Sequence, residues 1–144
     1  MSRIIYTATD GTVAIIIPTG DVNDAIKDVP NGLSYKIVAD SVIPIDRSFR
    51  NAWKQNEENI ETDMTKAKEI HKTNIRLART SKLAELDIEF QKAQETSANT
   101  SDIVAKKQAL RDAPADSAIA NASNETTLKA QWNTTILGTS PYKS

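Results

Sequence analysis

The residue type most often used for chemistry occurs only once in this chain, as His71. A catalytic or metal-binding histidine works with a second ligand, or with a carboxylate that orients its ring. On a helix, Glu69 would point away from the face of His71, and Lys72 carries the wrong charge for either role. We therefore expect His71 to be a structural residue.

Carboxylates are the second group of candidates. Four of them fall within residues 57–63, and Lys66 and Lys68 follow shortly afterwards. A helix face that carries both signs of charge is usually a solvated face, so acid–base chemistry is not expected here. The four residues are Glu57, Glu58, Glu61 and Asp63.

The sequence motifs of common enzymes and cofactor sites are missing. Cysteine is absent, which excludes thiolate chemistry, disulfide bonds and cysteine-ligated metals. The four glycines are scattered, so no glycine-rich phosphate loop exists, and neither HExxH nor GxSxG occurs. The sequence predicts a protein that is not an enzyme, with no catalytic residue, no cofactor and no metal site.

The charge pattern gives little support to nucleic acid or membranes as partners. The net charge is −1, from 18 basic and 19 acidic residues, so no overall field attracts a polyanion. A moderately basic stretch runs from Lys66 to Lys82, but Glu69 interrupts it and no aromatic residues are interleaved. The longest apolar run, Val13–Ile17, is far shorter than the roughly 20 residues of a membrane span, and the N-terminus has no signal-peptide run. We therefore expect the protein to be made and kept in a cytoplasm, or to be built into something that is assembled there.

The N-terminal residues predict a β-hairpin. The segments 3–8 and 12–17 are rich in Ile, Val, Thr and Tyr, which fit a pleated surface. Asp10 and Gly11 lie between them and predict a tight type I′ turn. The run Val13–Ile17 does not alternate between apolar and polar residues, which indicates burial on both faces or an interface.

A short helix and a third strand are predicted to complete this head. Apolar residues in segment 21–29 have the spacing of one helix face, and segment 33–39 has the character of a strand. Residues 1–45 thus predict a small ββαβ head. Because such a head is near the lower size limit for independent stability, we expect it to need the following helix or a partner chain.

The middle of the chain predicts a long helical arm over residues 46–97. Residues 46–95 contain neither proline nor glycine and consist mostly of good helix formers. Asp46 or Ser48 would cap the arm, and Phe49 and Trp53, four residues apart, would bury against the head.

Two apolar stripes divide this arm. The first runs from Ile60 to Ala78, and the second begins at Leu83 after a step of five residues, which changes the helical register. This change predicts a kink or a break near residues 79–81, so the arm is a kinked helix or a helical hairpin. Each stripe is close to a coiled-coil seam and must face another helix of this chain or of another subunit.

The C-terminal third predicts short helices over residues 98–132 and an extended tail over residues 133–144. Leu128 and Trp132 would anchor the last helix. The whole chain therefore has an α+β pattern: a β-rich head, a long helical arm, short C-terminal helices and a tail.

Apolar residues on the two-sided strand, on the two stripes and in the tail are the candidates for protein–protein interfaces. A tail that carries large apolar side chains needs a partner surface to be ordered, and self-association through the stripes is expected. The candidate interface residues are Val13, Ile15, Ile17, Ile60, Met64, Ile75, Leu83, Leu86, Phe90, Trp132, Ile136, Leu137 and Tyr142.

The order of several segments resembles small proteins of tailed bacteriophages that are labelled tail-fibre assembly or tail-associated proteins. The resemblance covers roughly residues 26–132. Its most recognisable pieces are Asp46–Trp53 and Lys107–Asp112, which are structural motifs and transfer no site. The segments are DVPNGLSYKIV, DRSFRNAWK, KAKEIHKTNIRLAR, KLAELDIEFQKA, KKQALRDAPAD and LKAQW.

The resemblance implies a non-enzymatic virion protein at the tail or its fibres, which acts as an oligomerising adaptor between other phage structural proteins. An alternative is a tail-fibre assembly chaperone that is not retained in the mature particle. A third possibility is a coiled-coil regulator that binds nucleic acid.

Overall fold

The computed structural model describes residues 1–142 and has an α+β fold, in which antiparallel strands precede a long helix and several short helices. The strands are β1 (Ser2–Thr7), β2 (Val13–Ile16), β3 (Tyr35–Ala39), β4 (Trp53–Asn56) and β5 (Asn59–Thr62). The α-helices are α1 (Met64–Glu95), α2 (Ser101–Asp112), α3 (Ser117–Asn121), α4 (Glu125–Lys129) and α5 (Thr134–Leu137). The chain forms two compact units, one of residues Met1–Ala67 and one from Lys68 onward. Within the described residues, no helix is both long enough and apolar enough to cross a membrane.

The first unit is built on a three-stranded antiparallel sheet in the order β2-β1-β3. Ile4 of the central strand pairs with Ile16 on one side and Ile37 on the other. Ile4 and its neighbour Ile5 are both fully buried. Because consecutive strand residues point to opposite faces, the central strand must be covered on both faces.

Different segments cover these two faces. Ala25 and Val29 form a cluster with Ile4, while Trp53 forms a cluster with Ile5 and Val13. The first cover is a single 3-10 turn, Asp24–Asp28, where we predicted an α-helix. The second cover is the β4–β5 hairpin, so the head completes its core with its own residues beyond position 45.

The β1–β2 hairpin is confirmed, but the predicted turn type is wrong. Gly11 N donates to Ala8 O (2.9 Å), and Ala8 N donates to Thr12 O (2.8 Å). Gly11 has a φ of 86°, whereas Asp10 is not among the residues with positive φ. This is a longer loop with a left-handed glycine rather than a two-residue type I′ turn. Asp10 Oδ1 fixes the loop by accepting bonds from Thr12 N (3.0 Å) and Thr12 Oγ1 (2.6 Å).

The predicted helical start at residues 46–63 is wrong. This segment contains a 3-10 turn, Arg50–Ala52, followed by the antiparallel β4–β5 hairpin. Asp46 Oδ1 accepts bonds from Ser48 N (2.9 Å) and Ser48 Oγ (2.7 Å), which closes a local turn. Phe49 and Trp53 are 1% and 2% exposed. Burying each such ring stabilises the fold by about 1.5–3 kcal/mol, which outweighs helix preferences of a few tenths of a kcal/mol per residue.

Helix α1 begins after Asp63, whose Oδ1 accepts bonds from Thr65 N (3.1 Å) and Lys66 N (3.3 Å). Its 32 residues span roughly 48 Å. A break near residues 79–81 is wrong, because α1 is continuous there. A kink at this place stays a prediction. Thr80 Oγ1 bonds to Arg76 O, one turn earlier in the same helix (2.9 Å).

A helical hairpin does exist, but it is formed by α1 and α2. Arg79 donates to Leu110 O (3.4 Å) and Arg111 O (3.0 Å), whereas Lys107 pairs with Asp87 (2.5 Å). Later residues of α2 therefore contact earlier residues of α1, so the two helices are antiparallel. The change of stripe along α1 reflects a change of partner: Leu83, Leu86 and Phe90, half-buried on this part of the helix, form the second stripe.

Short helices complete the second unit, and asparagine or aspartate caps three of them. Asp116 caps α3, Asn124 forms a capping box with Thr127 at α4, and Asn133 caps α5. The predicted extended tail is wrong for Thr134–Leu137, which form α5 and bury Leu137. Residues 143 and 144 of the predicted tail lie outside the described residues.

Candidate functional site

The most organised polar group of the molecule surrounds His71. Its side chain is completely buried on α1, in the second unit. The ring nitrogen Nε2 lies 2.9 Å from Gln131 O, and Nδ1 lies 2.5 Å from Tyr142 Oη. Helix α1 thus positions the histidine, while the turns after α4 and α5 bring its two partners.

The hydrogen bonds define the tautomer of His71. A carbonyl oxygen only accepts, so Nε2 carries the proton and donates to Gln131 O. Nδ1 then has a lone pair that accepts the hydroxyl proton of Tyr142. Asn74 Nδ2 donates to the same hydroxyl oxygen (3.3 Å). The resulting chain runs from Asn74 through Tyr142 and His71 to Gln131, and it requires neutral imidazole.

Three aromatic rings surround this chain of hydrogen bonds. The rings of His71 and Tyr142 are stacked, with centroids 5.5 Å apart and planes 14° apart. Trp132 meets both rings edge-on, at 6.1 Å and 6.2 Å. Its indole Nε1 donates to Gly138 O (3.0 Å), so the indole also holds the turn that leads to Tyr142.

Burial shifts the ionisation of both titratable groups toward the neutral form. Loss of solvation lowers the pKa of His71 below its ordinary value, and the bond to Gln131 O offsets this in part. Burial raises the pKa of Tyr142, and the bond from Asn74 opposes that rise. Both ring nitrogens of His71 are engaged by protein atoms, so the group can exchange a proton but offers no free nitrogen to a substrate.

A cavity of about 610 Å³ lies beside this group, between α2 and α5. Ile75, Trp132 and Ile136 supply apolar wall, and two aspartates supply charge. Both carboxylates already serve the fold, because Asp112 accepts from Gln108 (2.9 Å) and Asp116 caps α3. Within residues 1–142, no group of three or more metal-ligating side chains is placed to hold an ion.

The predicted carboxylate group is dispersed by the hairpin. Glu57 and Glu58 form the β4–β5 turn, Glu61 accepts from Asn56 (2.7 Å) on the neighbouring strand, and Asp63 caps α1. These residues therefore do not share a helix face, and each of the last two has a local structural role.

The candidate interface residues of the first unit lie mostly in its own core. Val13 is 1% exposed, and Ile15 and Ile60 pack against the same cluster. Ile17 is 60% exposed, and Met64 is half-buried at the start of α1. Of this group, Ile17 retains the exposure that an interface residue needs.

The candidates of the second unit are largely covered by their own unit. Ile75 and Leu137 are buried, and Tyr142 and Trp132 belong to the His71 group. The remaining residues are half-buried along the α1–α2–α5 side, namely Leu83, Leu86, Phe90 and Ile136. An interface role for each of these residues stays a prediction.

Sequence reasoning missed both the partners of His71 and several exposed apolar side chains. The contact with Tyr142 spans 71 positions, and no local pattern announces it. Tyr35 and Ile37, which are 37% and 40% exposed, could have been found, since they alternate with Lys36 and Val38 on an edge strand. Leu77 and Ile88 on α1 are 70% and 53% exposed.

Comparisons with known proteins add no relative. No protein-family model matches the chain, and no curated protein or solved structure is significantly similar to it.

Proposed function

We propose that this protein is a non-enzymatic structural component of a tailed bacteriophage, located at the tail or its fibres, where it joins other virion proteins. The resemblance of the segments within residues 26–132 supports this assignment. The observation that carries the adaptor role is an open strand edge with exposed apolar side chains, Tyr35 and Ile37 of β3.

The geometry of β3 suits the addition of a strand from a partner. Asp40 N donates to Met1 O (2.9 Å), which identifies one hydrogen-bonded pair between the two strands. Because such pairs alternate in antiparallel sheets, the main-chain groups of Tyr35 and Ile37 point away from β1. An extended partner segment gains main-chain bonds there, and the two apolar side chains supply contact area.

The second unit offers a surface for self-association. Leu77 and Ile88 are 11 positions apart, about three helical turns, so they lie on one face of α1. Ala67, His71 and Ile75 of the predicted seam are buried in the fold, so oligomerisation through α1 would use this other face. Leu77→Asp with Ile88→Asp should then lower the native mass, whereas Val104→Asp, at an exposed apolar residue of α2, should not.

The regulator that binds nucleic acid is less well supported. Lys68 donates to Ala120 O (2.7 Å), Lys72 pairs with Glu69 (3.5 Å), and Arg79 donates to Leu110 O and Arg111 O. These basic groups are therefore engaged within the fold. DNA binding that weakens steeply with salt would favour the regulator instead.

The decisive experiment is mass spectrometry of purified phage particles. A structural component should be present at a fixed copy number relative to the other tail proteins. If it is present in infected cells but absent from mature particles, the chaperone is the correct alternative and the structural role is refuted.

The open edge can be tested separately by co-purification with tail proteins. Ile37→Pro removes one outward N–H from β3 and leaves the ladder with β1 in place, so capture should be lost. The control is Ile45→Lys, which alters an apolar side chain that is 99% exposed and lies outside the edge, so capture should persist. Equal capture by wild type and Ile37→Pro would refute strand addition at β3.

A further inference from the structure

The C-terminal segment returns to α1 and is held there by a buried hydrogen bond. Tyr142 stacks on His71 and donates to its Nδ1, and Asn74 donates to the Tyr142 hydroxyl. Before Tyr142, the segment is held at Gly138, whose carbonyl accepts from Trp132 Nε1. The hydrogen bond that holds Tyr142 therefore depends on the lone pair of His71 Nδ1, and His71 is a titratable residue.

We propose that His71 and Tyr142 form an acid-opened clasp, in which neutral His71 holds residues 139–142 against α1 and protonated His71 releases them. Protonation places a second N–H on Nδ1, which then points at the hydroxyl proton of Tyr142. The bond must reverse, and the hydroxyl has to turn its proton toward another acceptor. Because the imidazole is fully buried, protonation also creates a positive charge that water does not solvate, and this is unfavourable.

In the described part of the chain, no charged side chain around the clasp is paired with the His71 ring. Asp112 and Asp116 line the adjacent cavity, where they accept from Gln108 and from Ala118 N. On α1, Lys68 and Lys72 lie within one turn of His71, and Glu69 is paired with Lys72. On α4, Lys129 lies 5.9 Å from the Tyr142 ring, and Glu125 lies one turn earlier in the same helix. Within residues 1–142, no carboxylate forms an ion pair with His71.

Release of the segment lets water reach the imidazolium at Nδ1, the nitrogen that Tyr142 covers. Tyr142 covers the ring from the end of the described chain, whereas α1 itself is held by α2 through Arg79 and Lys107. Moving Tyr142 uncovers Nδ1 of His71 and leaves these helix contacts in place. The lowered pKa of His71 places the transition on the acid side of 6.5. This clasp goes beyond the proposed virion role and does not depend on it.

The test is an NMR titration of the full chain from about pH 7.5 to about pH 4.5, the range in which a histidine changes charge. Because the chain has one histidine, its ring signals are identified without mutagenesis. We expect the His71 and Tyr142 ring signals to shift with one common midpoint below 6.5, and amide protection in α1 to persist. A Tyr142 ring that stays docked while His71 titrates, or an α1 that unfolds at the same midpoint, overturns the clasp.

Two variants separate the clasp from general acid sensitivity. In His71→Gln, the amide can donate to Gln131 O and accept from Tyr142, but it gains no proton in this range, so the segment should stay docked. In Tyr142→Ala, the imidazole of His71 is exposed at Nδ1 and should titrate closer to 6.5. The control Tyr35→Ala should leave the titration midpoint of His71 unchanged. Acid release in His71→Gln, or an unmoved midpoint in Tyr142→Ala, contradicts the proposal. If His71→Gln does not fold, the wild type and Tyr142→Ala decide the matter alone.

Discussion

Ser97→Gly is expected to stabilise the second unit, because Ser97 ends α1 in a left-handed conformation. Its φ is 56°, one of two such values among the described non-glycine residues. Ser97 N donates to Gln94 O (3.2 Å), and Ala98 N donates to Ala93 O (2.8 Å). This pair of bonds is the Schellman motif, in which the left-handed position is usually glycine.

The magnitude follows from two opposing effects. A residue with a Cβ costs roughly 1–2 kcal/mol in the left-handed region, and glycine removes that cost. Glycine also increases the conformational entropy of the unfolded chain, which costs about 0.5–1 kcal/mol. The Ser97 side chain is exposed, so little packing is lost. We therefore expect a net gain of about 0.5–1 kcal/mol in the free energy of unfolding.

Urea unfolding followed by far-UV circular dichroism measures this gain. Ser97→Ala keeps the Cβ and should not raise the stability. Ala98→Gly places glycine next to the motif, where φ is not positive, and should lower the stability by about 0.5–1 kcal/mol. If Ser97→Gly is no more stable than the wild type, or Ala98→Gly gives the same gain, backbone strain at Ser97 is not what limits this helix end.

Three further predictions concern both units. Glu57 has a φ of 56° in the β4–β5 turn, so Glu57→Gly should stabilise the first unit by about 0.5–1 kcal/mol. Its thermal midpoint should rise accordingly, whereas Glu58→Gly should not raise it. Trp53→Ala should cost about 3–5 kcal/mol and abolish the sheet signals of the first unit in NMR spectra, while Ile45→Ala, at a fully solvated side chain, should change the stability by less than about 0.5 kcal/mol. Because the pKa of His71 is lower in the folded state, the unfolded state binds more protons between that pKa and 6.5. The stability of the second unit should therefore decrease as the pH is lowered through this window. Urea unfolding at several pH values should show that slope, and His71→Gln should flatten it; a slope of equal size in the variant would assign it to other groups.

The elements that follow local rules were predicted well. The β1–β2 hairpin follows from two β-favouring runs around Asp10 and Gly11, and β3 follows from its own residues. The helix at Ser101–Asp112 lies within residues 98–132, where short helices were predicted. In these segments, local preference and tertiary burial favour the same structure.

The largest error, at residues 46–63, arose where those two effects conflict. The segment has no proline or glycine, and its residues tolerate a helix, so local preference favours continuation of the arm. However, Ile5 needs a cover on one face of the sheet, and Trp53 supplies that cover from the first position of strand β4. The stabilisation from burial is several times the helix preference of the same residues.

At the candidate site, the sequence indicated the role of His71 but not the identity of its partners. The sequence alone indicated that His71 lacks the orienting carboxylate of a catalytic histidine, and its burial between protein hydrogen-bond partners agrees with a structural role. The identity of those partners did not follow from the sequence, since Gln131 and Tyr142 lie 60 and 71 positions away.

By itself, the sequence determined the α+β class, the three strands β1 to β3 and the presence of a long helix, because these depend on side chains within a few positions. Only the tertiary structure decided which faces are buried. It placed Trp53 in a strand, kept α1 continuous through Thr80, and brought Tyr142 to His71. The physical reason is that burial and hydrogen bonding are satisfied by residues far apart in the chain, and a local sequence pattern does not identify which distant residue makes the contact.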